Sequence, residues 1–262
     1  MSPNDQPLIT VATVTFNAAA TLPATLQSVA LQDYSRIEHL VVDGRSTDGT
    51  LSLLQQFVQD NPHHALRIVS EHDDGLYDAM NKALSMAAGD YIVFLNAGDR
   101  FHSPDTLSQL VERMRWHRGG NANPAVVYGE TDLVDAQGRF VRHRRLQTPE
   151  RLTWRSFRQG MLVCHQSFYV RTDLARLEPY DLSWRFSADY DWCIRIMKLA
   201  QKRRLPLLNS HLILTDYLSE GLTTRNHRRS LLERLRLMAR HYGWATALAM
   251  HLWFVVRAVV RK

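Results

Sequence analysis

Cysteine and long hydrophobic runs are both scarce in this 262-residue chain. Its two cysteines, Cys164 and Cys193, are too few for a disulfide framework and lack the spacing of metal ligands. Such scarcity favours a reducing compartment. The uncharged stretch near the carboxyl end covers residues 244–256, whereas a membrane-spanning helix needs roughly 20 residues. We therefore predict neither a disulfide-stabilised secreted domain nor a transmembrane helix at that end.

Residues 1–7 contain neither a basic stretch nor an apolar one, so we expect no signal peptide and a cytoplasmic location. Excess positive charge is confined to the carboxyl end. The net charge is +6, yet residues 221–262 alone hold nine basic residues and one acidic residue. The rest of the chain is therefore slightly negative. A near-neutral body argues against nucleic acid as a partner, in spite of the high isoelectric point.

The first hundred residues alternate between two hydrophobic periods. Runs rich in β-branched residues predict strands at 8–16, 37–42, 66–70 and 91–95, and stretches with helical spacing predict helices at 22–32, 51–59 and 77–88. Strands that alternate with helices are typical of an α/β fold with a mainly parallel sheet. The sequence therefore predicts an α/β domain in the amino-terminal half.

Three of these strands end in acidic loops, at Asp43, Asp73 and Asp99. Because parallel strands have their carboxyl ends at one edge of the sheet, we expect these loops to meet at a ligand site. Carboxylates that share one edge repel one another unless a cation or hydrogen-bond donors offset their charge. In the turn 96–99, the amide of Asn96 and the carboxylate of Asp99 suit a hard cation, since such cations take oxygen ligands. An ordinary strand-ending turn is the alternative.

Taken in order, the motifs resemble glycosyltransferase family 2, in the bacterial branch that builds capsule, exopolysaccharide or lipopolysaccharide glycans. They are TFN at 15–17, VDGxSTDGT at 42–50, DxGxYDAMNK at 73–82, GDY at 89–91 and FLNAGD at 94–99. The resemblance spans roughly residues 8–220. It implies a GT-A fold, with a Rossmann-like nucleotide-binding half at about 8–100 and an acceptor-binding half at about 101–222. Residues 223–262 lie beyond the resemblance, and we expect them to form a helical tail.

The resemblance also implies an inverting hexosyl transfer from a nucleotide-diphosphate sugar, with Mg²⁺ or Mn²⁺ as cofactor. It assigns the nucleotide and donor to Thr15, Asn17, Asp43, Asp73, Asn81 and Asn96, and the metal to Asp99. For Asn81, a solvated helix face is the alternative. The chain departs from the usual family motif because Asn96 replaces the first carboxylate. We therefore expect Asp99 to be the protein ligand and the diphosphate to supply most of the others.

The second half carries two further matches to the family. His165 and Gln166 resemble the His-Gln segment of the acceptor side, although a buried core histidine is the alternative for His165. The segment 186–196 resembles the motif that supplies the catalytic base, with Ala188 where Glu is common. By that pattern the base is Asp189, with Asp191 as its rival; a helix N-cap is the other interpretation of Asp189. The basic segment 139–145 is typical of a solvated edge strand, with a phosphate contact as the alternative.

The tail predicts a basic helix at 228–242 and an apolar, aromatic-rich helix at 244–260, separated by Gly243. This pattern is typical of an interfacial anchor, which would bring the enzyme to the inner face of the cell membrane and to a glycan or lipid-linked acceptor. A helix packed on the catalytic domain is the alternative.

Two other protein classes make predictions that the sequence can test. A nucleotide-dependent oxidoreductase predicts Gly-x-Gly-x-x-Gly after the first strand, where this chain has Asn-Ala-Ala-Ala at 17–20. A non-catalytic glycan-binding or membrane-surface module with a decayed site is supported only by Asn96. The transferase interpretation accounts for more of the motifs.

Overall fold

The computed structural model describes residues 5–117, 123–219 and 227–260. In its amino-terminal half the predicted alternation is confirmed. The elements are β1 (Ile9–Thr15), α1 (Leu22–Ala30), β2 (Ile37–Asp43), α2 (Thr50–Asp60), β3 (Leu66–Ser70), α3 (Leu76–Met86) and β4 (Tyr91–Phe94). Every residue of β1 and β4 is buried, as expected for strands covered by helices on both faces.

The first four strands pair in parallel, in the order β3-β2-β1-β4. Parallel neighbours need a crossover connection, and the three helices supply it. The register puts Thr15 opposite Asp43, and Asp43 opposite Ser70. The ends of β1, β2 and β3 therefore lie side by side, as the sequence predicts.

The second half adds strands of mixed direction. Its elements are β5 (Arg100–Phe101), α4 (Thr106–Met114), β6 (Val126–Val134), β7 (Phe140–His143), β8 (Phe168–Arg171), α5 (Thr172–Ala175), α6 (Ala188–Lys202), β9 (Leu207–Leu218), α7 (His227–Tyr242) and α8 (Trp244–Val260). Short 3-10 helices cover Trp154–Gln159 and His165–Ser167. In the described chain the sheet continues β4-β8-β6-β9-β5, with β7 paired to β6. Strand β8 is antiparallel to both β4 and β6, and it joins the two halves.

Helices cover both faces of the sheet. Buried residues of α3, α6, α7 and α8 form one cluster, whereas those of α1, α2 and α4 form clusters on the opposite face. In the first cluster, Trp192 of α6 stacks on Tyr180 and contacts the edge of Phe94 from β4. Burying a side chain such as Phe94 stabilises the fold by about 1.5–3 kcal/mol. This packing fixes α6 against the parallel half of the sheet.

The tail forms the two predicted helices, and Gly243, with φ 84°, makes the turn between them. Leu237 and Met238 of α7 and Ala247 of α8 are fully buried in the main cluster. Packing on the domain, the alternative interpretation of the tail, is therefore confirmed for the inner faces of both helices. Among the described residues, no helix combines the length and the apolar character that crossing a membrane requires.

Helix α4 ends at Met114 because Arg115 takes a left-handed conformation, with φ 48°. The basic segment contains β7, whose four residues are all exposed at the sheet edge. The interpretation as a solvated edge strand is confirmed.

Candidate active site

The loops after β1, β2 and β3 contact one another at the carboxyl edge of the sheet. Asn17 accepts hydrogen bonds at Oδ1 from the backbone N–H groups of Thr47 (2.8 Å) and Asp48 (3.3 Å). Gly44 leaves space for the Asp73 carboxylate, since a Cβ at Gly44 would collide with it. The side chains of Asn17 and Asp73 therefore connect three successive loops, and the predicted shared edge is present.

Asp43 is fully buried within this edge. It accepts hydrogen bonds from the backbone N–H of Ser46 (3.0 Å), the Ser46 hydroxyl (2.5 Å) and the Ser70 hydroxyl (2.7 Å). The neighbouring Thr15 differs, because its buried hydroxyl has no partner among the described residues. Asp43 thus organises the edge, and its Oδ1, which accepts only the Ser46 hydroxyl, keeps a second lone pair.

Asn81 bonds a peptide segment of the second half. Its Nδ2 donates to the Tyr180 carbonyl (3.0 Å), and its Oδ1 accepts from the Tyr180 backbone N–H (2.7 Å). Both polar ends of the side chain are thereby used on one peptide segment. Asn81 braces the chain ahead of α6, and its predicted donor contact stays a prediction.

The turn after β4 faces the His-Gln segment. Asn96 Nδ2 lies 3.2 Å from His165 Nε2, and Gln166 Nε2 donates to Asp99 Oδ2 at 2.9 Å. The backbone N–H of Leu218 donates to the other oxygen of Asp99 at 3.1 Å. His165 and Gln166 are both buried. The two motifs that the sequence assigned to donor and acceptor therefore form one hydrogen-bonded unit.

Asp189 lies in the first turn of α6, next to this unit. One carboxylate oxygen is 3.3 Å from His165 Nδ1, and the other accepts from the Tyr77 hydroxyl at 3.2 Å. The Nδ1–H of His165 donates to Asp189, and Nε2 of the same ring meets the Asn96 amide. A continuous chain of polar contacts thus runs from Asn96 through His165 and Asp189 to Tyr77. The N-cap interpretation is not supported, because the N-cap position belongs to Ser187 and the side chain of Asp189 is turned toward His165.

The two carboxylates of the site have opposite pKa shifts. Burial raises the pKa of Asp99 to about 6, in spite of the hydrogen bond from Gln166. Burial also acts to raise the pKa of Asp189, but the hydrogen bond and charge of His165, with the charge of Arg234, outweigh it and the pKa is lowered. Carboxylates whose environments separate their pKa values are typical of catalytic sites with divided roles.

Asp191, the rival candidate base, lies in a structural ion pair. It is fully buried, with one oxygen 2.7 Å from His241 Nε2 and the other 2.6 Å from Arg195 Nε. Neither oxygen faces the His165 unit, so the geometry favours Asp189 as the base and gives Asp191 the role of joining α6 to α7. Of the two candidates that the sequence offers, Asp189 is the one that contacts His165.

A divalent cation fits the chemistry of the turn after β4. The Asn96 Oδ1 atom is buried and has no partner among the described residues. The raised pKa of Asp99 reflects a carboxylate whose charge the protein compensates only in part. Each Asp99 oxygen also keeps a lone pair beyond its one hydrogen bond. No cluster of three His, Cys, Asp or Glu suits a metal in the described residues, so a cation here would take most of its ligands from a bound phosphate.

Helix α7 contacts the start of α6 in a way that the motifs do not signal. Glu233 accepts the backbone N–H of Phe186, just before α6, at 3.0 and 3.1 Å. The Arg234 guanidinium lies 5.1 Å from the ring centre of Tyr190, the residue next to Asp189. Sequence patterns separate the tail from the catalytic half. Only the fold brings α7 to the start of α6.

Replacing His165 by alanine should move the acid limb of the pH–rate profile to higher pH. Without His165, its hydrogen bond and charge no longer lower the pKa of Asp189 while burial still acts to raise it, so the pKa rises and Asp189, the candidate base, ionises only at higher pH. The measurement is kcat/KM against pH. His143→Ala removes another His–Asp pair, on the exposed β7, and should leave the profile unchanged. A uniform loss of activity without movement of the limb would contradict the role given to His165.

A parallel α/β half with a polar carboxyl edge, completed by a positioned carboxylate from the second half, suits an enzyme of group transfer. Residues 10–177 match the model of "Glycosyl transferase family 2", and the chain belongs to that family. A "PGL/p-HBAD biosynthesis glycosyltransferase" of Mycobacterium tuberculosis (strain ATCC 25177 / H37Ra) is 34% identical over 190 residues, 72% of this chain and 69% of that protein. The "Amylovoran biosynthesis glycosyltransferase AmsB" of Erwinia amylovora is 26% identical over 212 residues, 76% and 67% of the two chains.

Solved structures support the same fold. S. aureus TarS in complex with UDP-GlcNAc has a TM-score of 0.64 at 18% identity, over 88% of this chain and 65% of that one. The mannosyltransferase PcManGT from Pyrobaculum calidifontis, in complex with GDP-Man and Mn²⁺, has a TM-score of 0.62 at 20% identity, over 95% and 75%. The predicted GT-A fold and the glycosyltransferase class are confirmed.

Proposed function

We propose that this family 2 enzyme transfers a sugar, with inversion, from a nucleotide-diphosphate donor to a hydroxyl of a glycan or lipid-linked acceptor. The observation that carries the proposal is the position of Asp189. Its carboxylate is held by His165 and Tyr77, and His165 also contacts the turn after β4. In a single displacement the acceptor hydroxyl and the leaving diphosphate lie on opposite sides of one carbon. The base and the turn that holds the diphosphate must therefore both border the space that this carbon occupies.

In this mechanism Asp189 accepts the acceptor proton while the hydroxyl oxygen attacks the anomeric carbon. A sugar hydroxyl is a poor nucleophile until its proton is being removed, and a positioned base contributes typically about 10²–10⁴-fold. The lowered pKa of Asp189 keeps it ionised at neutral pH. His165 and Tyr77 hold the carboxylate in place and stabilise its charge. His165 and Gln166 then serve the acceptor side by fixing the base and the turn.

The nucleotide is proposed to bind at the edge formed by the loops after β1, β2 and β3. Thr15, with its unpartnered hydroxyl, is the candidate for direct contact with the nucleoside, together with Asn17 and Asp73. Asp43 acts by ordering these loops. The nucleotide-sugar complexes of TarS and PcManGT support a donor of this class.

Mg²⁺ or Mn²⁺ is the proposed cofactor, held by Asp99 and by the unpartnered oxygen of Asn96. When bound, such an ion offsets the charge on the departing diphosphate. The Mn²⁺ complex of PcManGT supports this choice. The residues of this chain keep the turn closed, since Gln166 and Leu218 both donate to Asp99.

The proposed process is cell-surface glycan synthesis, on the strength of the mycobacterial relative and the amylovoran relative. Residues 1–222 would form the transferase domain, with the donor half up to about residue 100, and residues 223–262 the tail. The outward face of α8 is apolar, with Leu248 and Leu252 more than half exposed. This face supports peripheral association with the inner face of the cell membrane, where lipid-linked acceptors would be met.

The function is tested by thermal unfolding with UDP, GDP, dTDP, CDP and ADP, each with and without Mn²⁺. One nucleotide should raise Tm, because a ligand at 100 times its Kd stabilises the folded state by about 2.7 kcal/mol, or roughly 5–10 °C for a chain of this size. Mn²⁺ should increase the shift. No shift with any nucleotide, in a folded sample, would favour the non-catalytic module instead.

The matched variant in this experiment is Asp99→Asn. It should keep the shift from the nucleotide alone and lose the additional shift from Mn²⁺. The same loss is expected in the unmutated protein below pH 6, since burial raises the pKa of Asp99 to about 6 and the neutral acid binds cations poorly. A full Mn²⁺ effect in Asp99→Asn would remove Asp99 from the metal site.

A further inference from the structure

A groove of about 680 Å³ lies between the 3-10 helix Trp154–Gln159 and helix α8, away from the candidate active site. One wall carries Arg155, Ser156 and Arg158, and the other carries Thr246, Met250 and Trp253. The groove thus has a cationic, hydrogen-bonding side and an apolar side. Neither the fold nor the proposed transfer reaction accounts for it.

The two arginines are exposed and have no acidic partner among the described residues. The Arg155 guanidinium lies 4.6 Å from the ring centre of Trp154, and Arg158 Nε donates to the Arg155 carbonyl at 3.1 Å. Both contacts hold the side chains near the surface and leave their positive charges uncompensated. Exposed guanidinium groups with free donors are well suited to phosphate.

The apolar wall continues into the outward face of α8. Five large hydrophobic residues on this face are between 43% and 67% exposed, and none of the residues between 244 and 256 is charged. They follow helical spacing and form one stripe: Trp244, Leu248, Leu252, Trp253 and Val256. A helix with an exposed aromatic and aliphatic stripe lies in a membrane interface with that stripe among the acyl chains. Trp253 belongs to both the stripe and the groove, so the arginines lie beside the stripe.

We propose that the groove binds the phosphate headgroup of an anionic membrane lipid while the α8 stripe enters the interface. The proposal extends the peripheral membrane association proposed above and assigns its lipid specificity to the catalytic domain's own 3-10 helix. Arg155 and Arg158 contact the phosphate, Ser156 and Thr246 add hydroxyl donors, and Met250 and Trp253 cover the glycerol and upper acyl chain. Positive charge against an anionic leaflet is the complementarity that selects this occupant.

This position would orient the active site. Phe157, between the two arginines, stacks on Tyr190 with ring centres 5.6 Å apart, and its carbonyl accepts the Tyr190 hydroxyl. Tyr190 follows the proposed base Asp189, and the same segment of chain continues to His165. A headgroup in the groove would therefore lie on the side of the sheet that carries α6 and the base. The acceptor hydroxyl of a lipid-linked glycan would be presented to that side.

The test is co-sedimentation of the full chain with phosphatidylcholine vesicles and with vesicles of equal parts phosphatidylcholine and phosphatidylglycerol. Arg155→Gln/Arg158→Gln should lower partitioning onto the anionic vesicles by about tenfold or more and leave weak binding to pure phosphatidylcholine unchanged. The control Arg113→Gln/Arg115→Gln removes the same charge at the end of α4, on the opposite face of the sheet. It should partition like the unmutated protein.

Three results would separate the proposals. Equal losses in the groove variant and the control would reduce the effect to net charge and overturn the groove. If Leu252→Ser/Trp253→Ser loses binding while the groove variant keeps it, membrane association stands and the groove proposal fails. If the unmutated protein sediments with neither vesicle, membrane association itself fails, and the groove proposal with it. Unchanged Tm in each variant checks the fold, and unchanged nucleotide-induced stabilisation keeps these outcomes apart from the transferase proposal.

Discussion

Asp189→Asn should lower acceptor-dependent sugar transfer by about 10²–10⁴-fold, the usual contribution of a general base. The asparagine amide has the shape of the carboxylate but cannot take the acceptor proton. We expect kcat to fall and the donor KM to stay near its original value, because Asp189 contacts neither the loops after β1 and β2 nor Asp99. The measurement is steady-state transfer together with nucleotide binding by thermal shift.

The fold should tolerate this change. An amide at position 189 can donate to His165 in its other tautomer, and Asn96 can then turn its unpartnered oxygen toward the Nε2–H of His165. Tm should therefore change little. Retained transfer in a folded Asp189→Asn protein would reject Asp189 as the base, and loss of folding would reject the account of its hydrogen bonds.

Asp191→Asn, two residues further along α6, should lower the stability of the fold and leave the transfer reaction intact. The change leaves Arg195 and His241 without their buried carboxylate partner. Removing one member of a buried pair costs about 3 kcal/mol or more, which lowers Tm by roughly 6–12 °C in a chain of this length. Transfer by the folded fraction should persist at a temperature well below the new Tm. Chemical denaturation and a transfer assay measure the two quantities.

The stability difference between Asp191→Asn and the unmutated protein should depend on pH, which provides a further check. Burial acts to raise the pKa of Asp191, but the hydrogen bonds and charges of His241 and Arg195 lower it below the ordinary value of 3.8. A lowered pKa contributes stability that is present above pH 3.8 and is lost as the pH falls through the folded-state value. The stability gap between Asp191→Asn and the unmutated protein should therefore shrink in acid.

Asp181→Asn is the matched control for stability. Asp181 also pairs with an arginine of α7, Arg240, at 2.9 Å, but both side chains are substantially exposed. An exposed ion pair contributes about 0–1 kcal/mol, so this variant should unfold near the Tm of the unmutated protein. Equal losses in Asp191→Asn and Asp181→Asn would contradict the importance given to burial.

If both main predictions hold, the tail is part of the catalytic architecture. Helix α7 contributes Glu233 to the chain ahead of α6, His241 to Asp191, and the charge of Arg234 to the surroundings of Asp189. Membrane docking through α8 would then act on a helix pair that holds the base. The tail that composition sets apart from the domain is packed against it at the site.

The sequence identifies the parallel half well, because its signals are local. Strand β3 has the predicted bounds, and β1, β2 and β4 are within about two residues of theirs. The shared edge follows from strand direction alone, so the clustering of the loops after β1, β2 and β3 is predictable. The family pattern also points to the turn 96–99 and to Asp189. These residues are identified by motifs that their neighbours along the chain form.

Other contacts of the site residues depend on partners that are distant in sequence. Asn81 matches the family motif for the donor side, and both of its polar ends bond Tyr180, 99 positions away. Asp191 lies near the motif position of a base, and His241, 50 positions away, occupies one of its oxygens. Gln166 resembles an acceptor residue and also donates to Asp99. Whether a polar side chain is free or satisfied is decided by such contacts.

By itself, then, the sequence determined the α/β class, the glycosyltransferase family and the strand ends where ligands meet, because hydrophobic period, turn chemistry and motif order are written along the chain. The tertiary structure decided which polar groups remain available for chemistry. Buried polar groups must find partners, and only packing determines which ones they find. That requirement ties Asp191 to α7 and joins Asn96 to Asp189 through His165. The oxygens of Thr15 and Asn96 are exceptions, because packing leaves them without partners in the described chain.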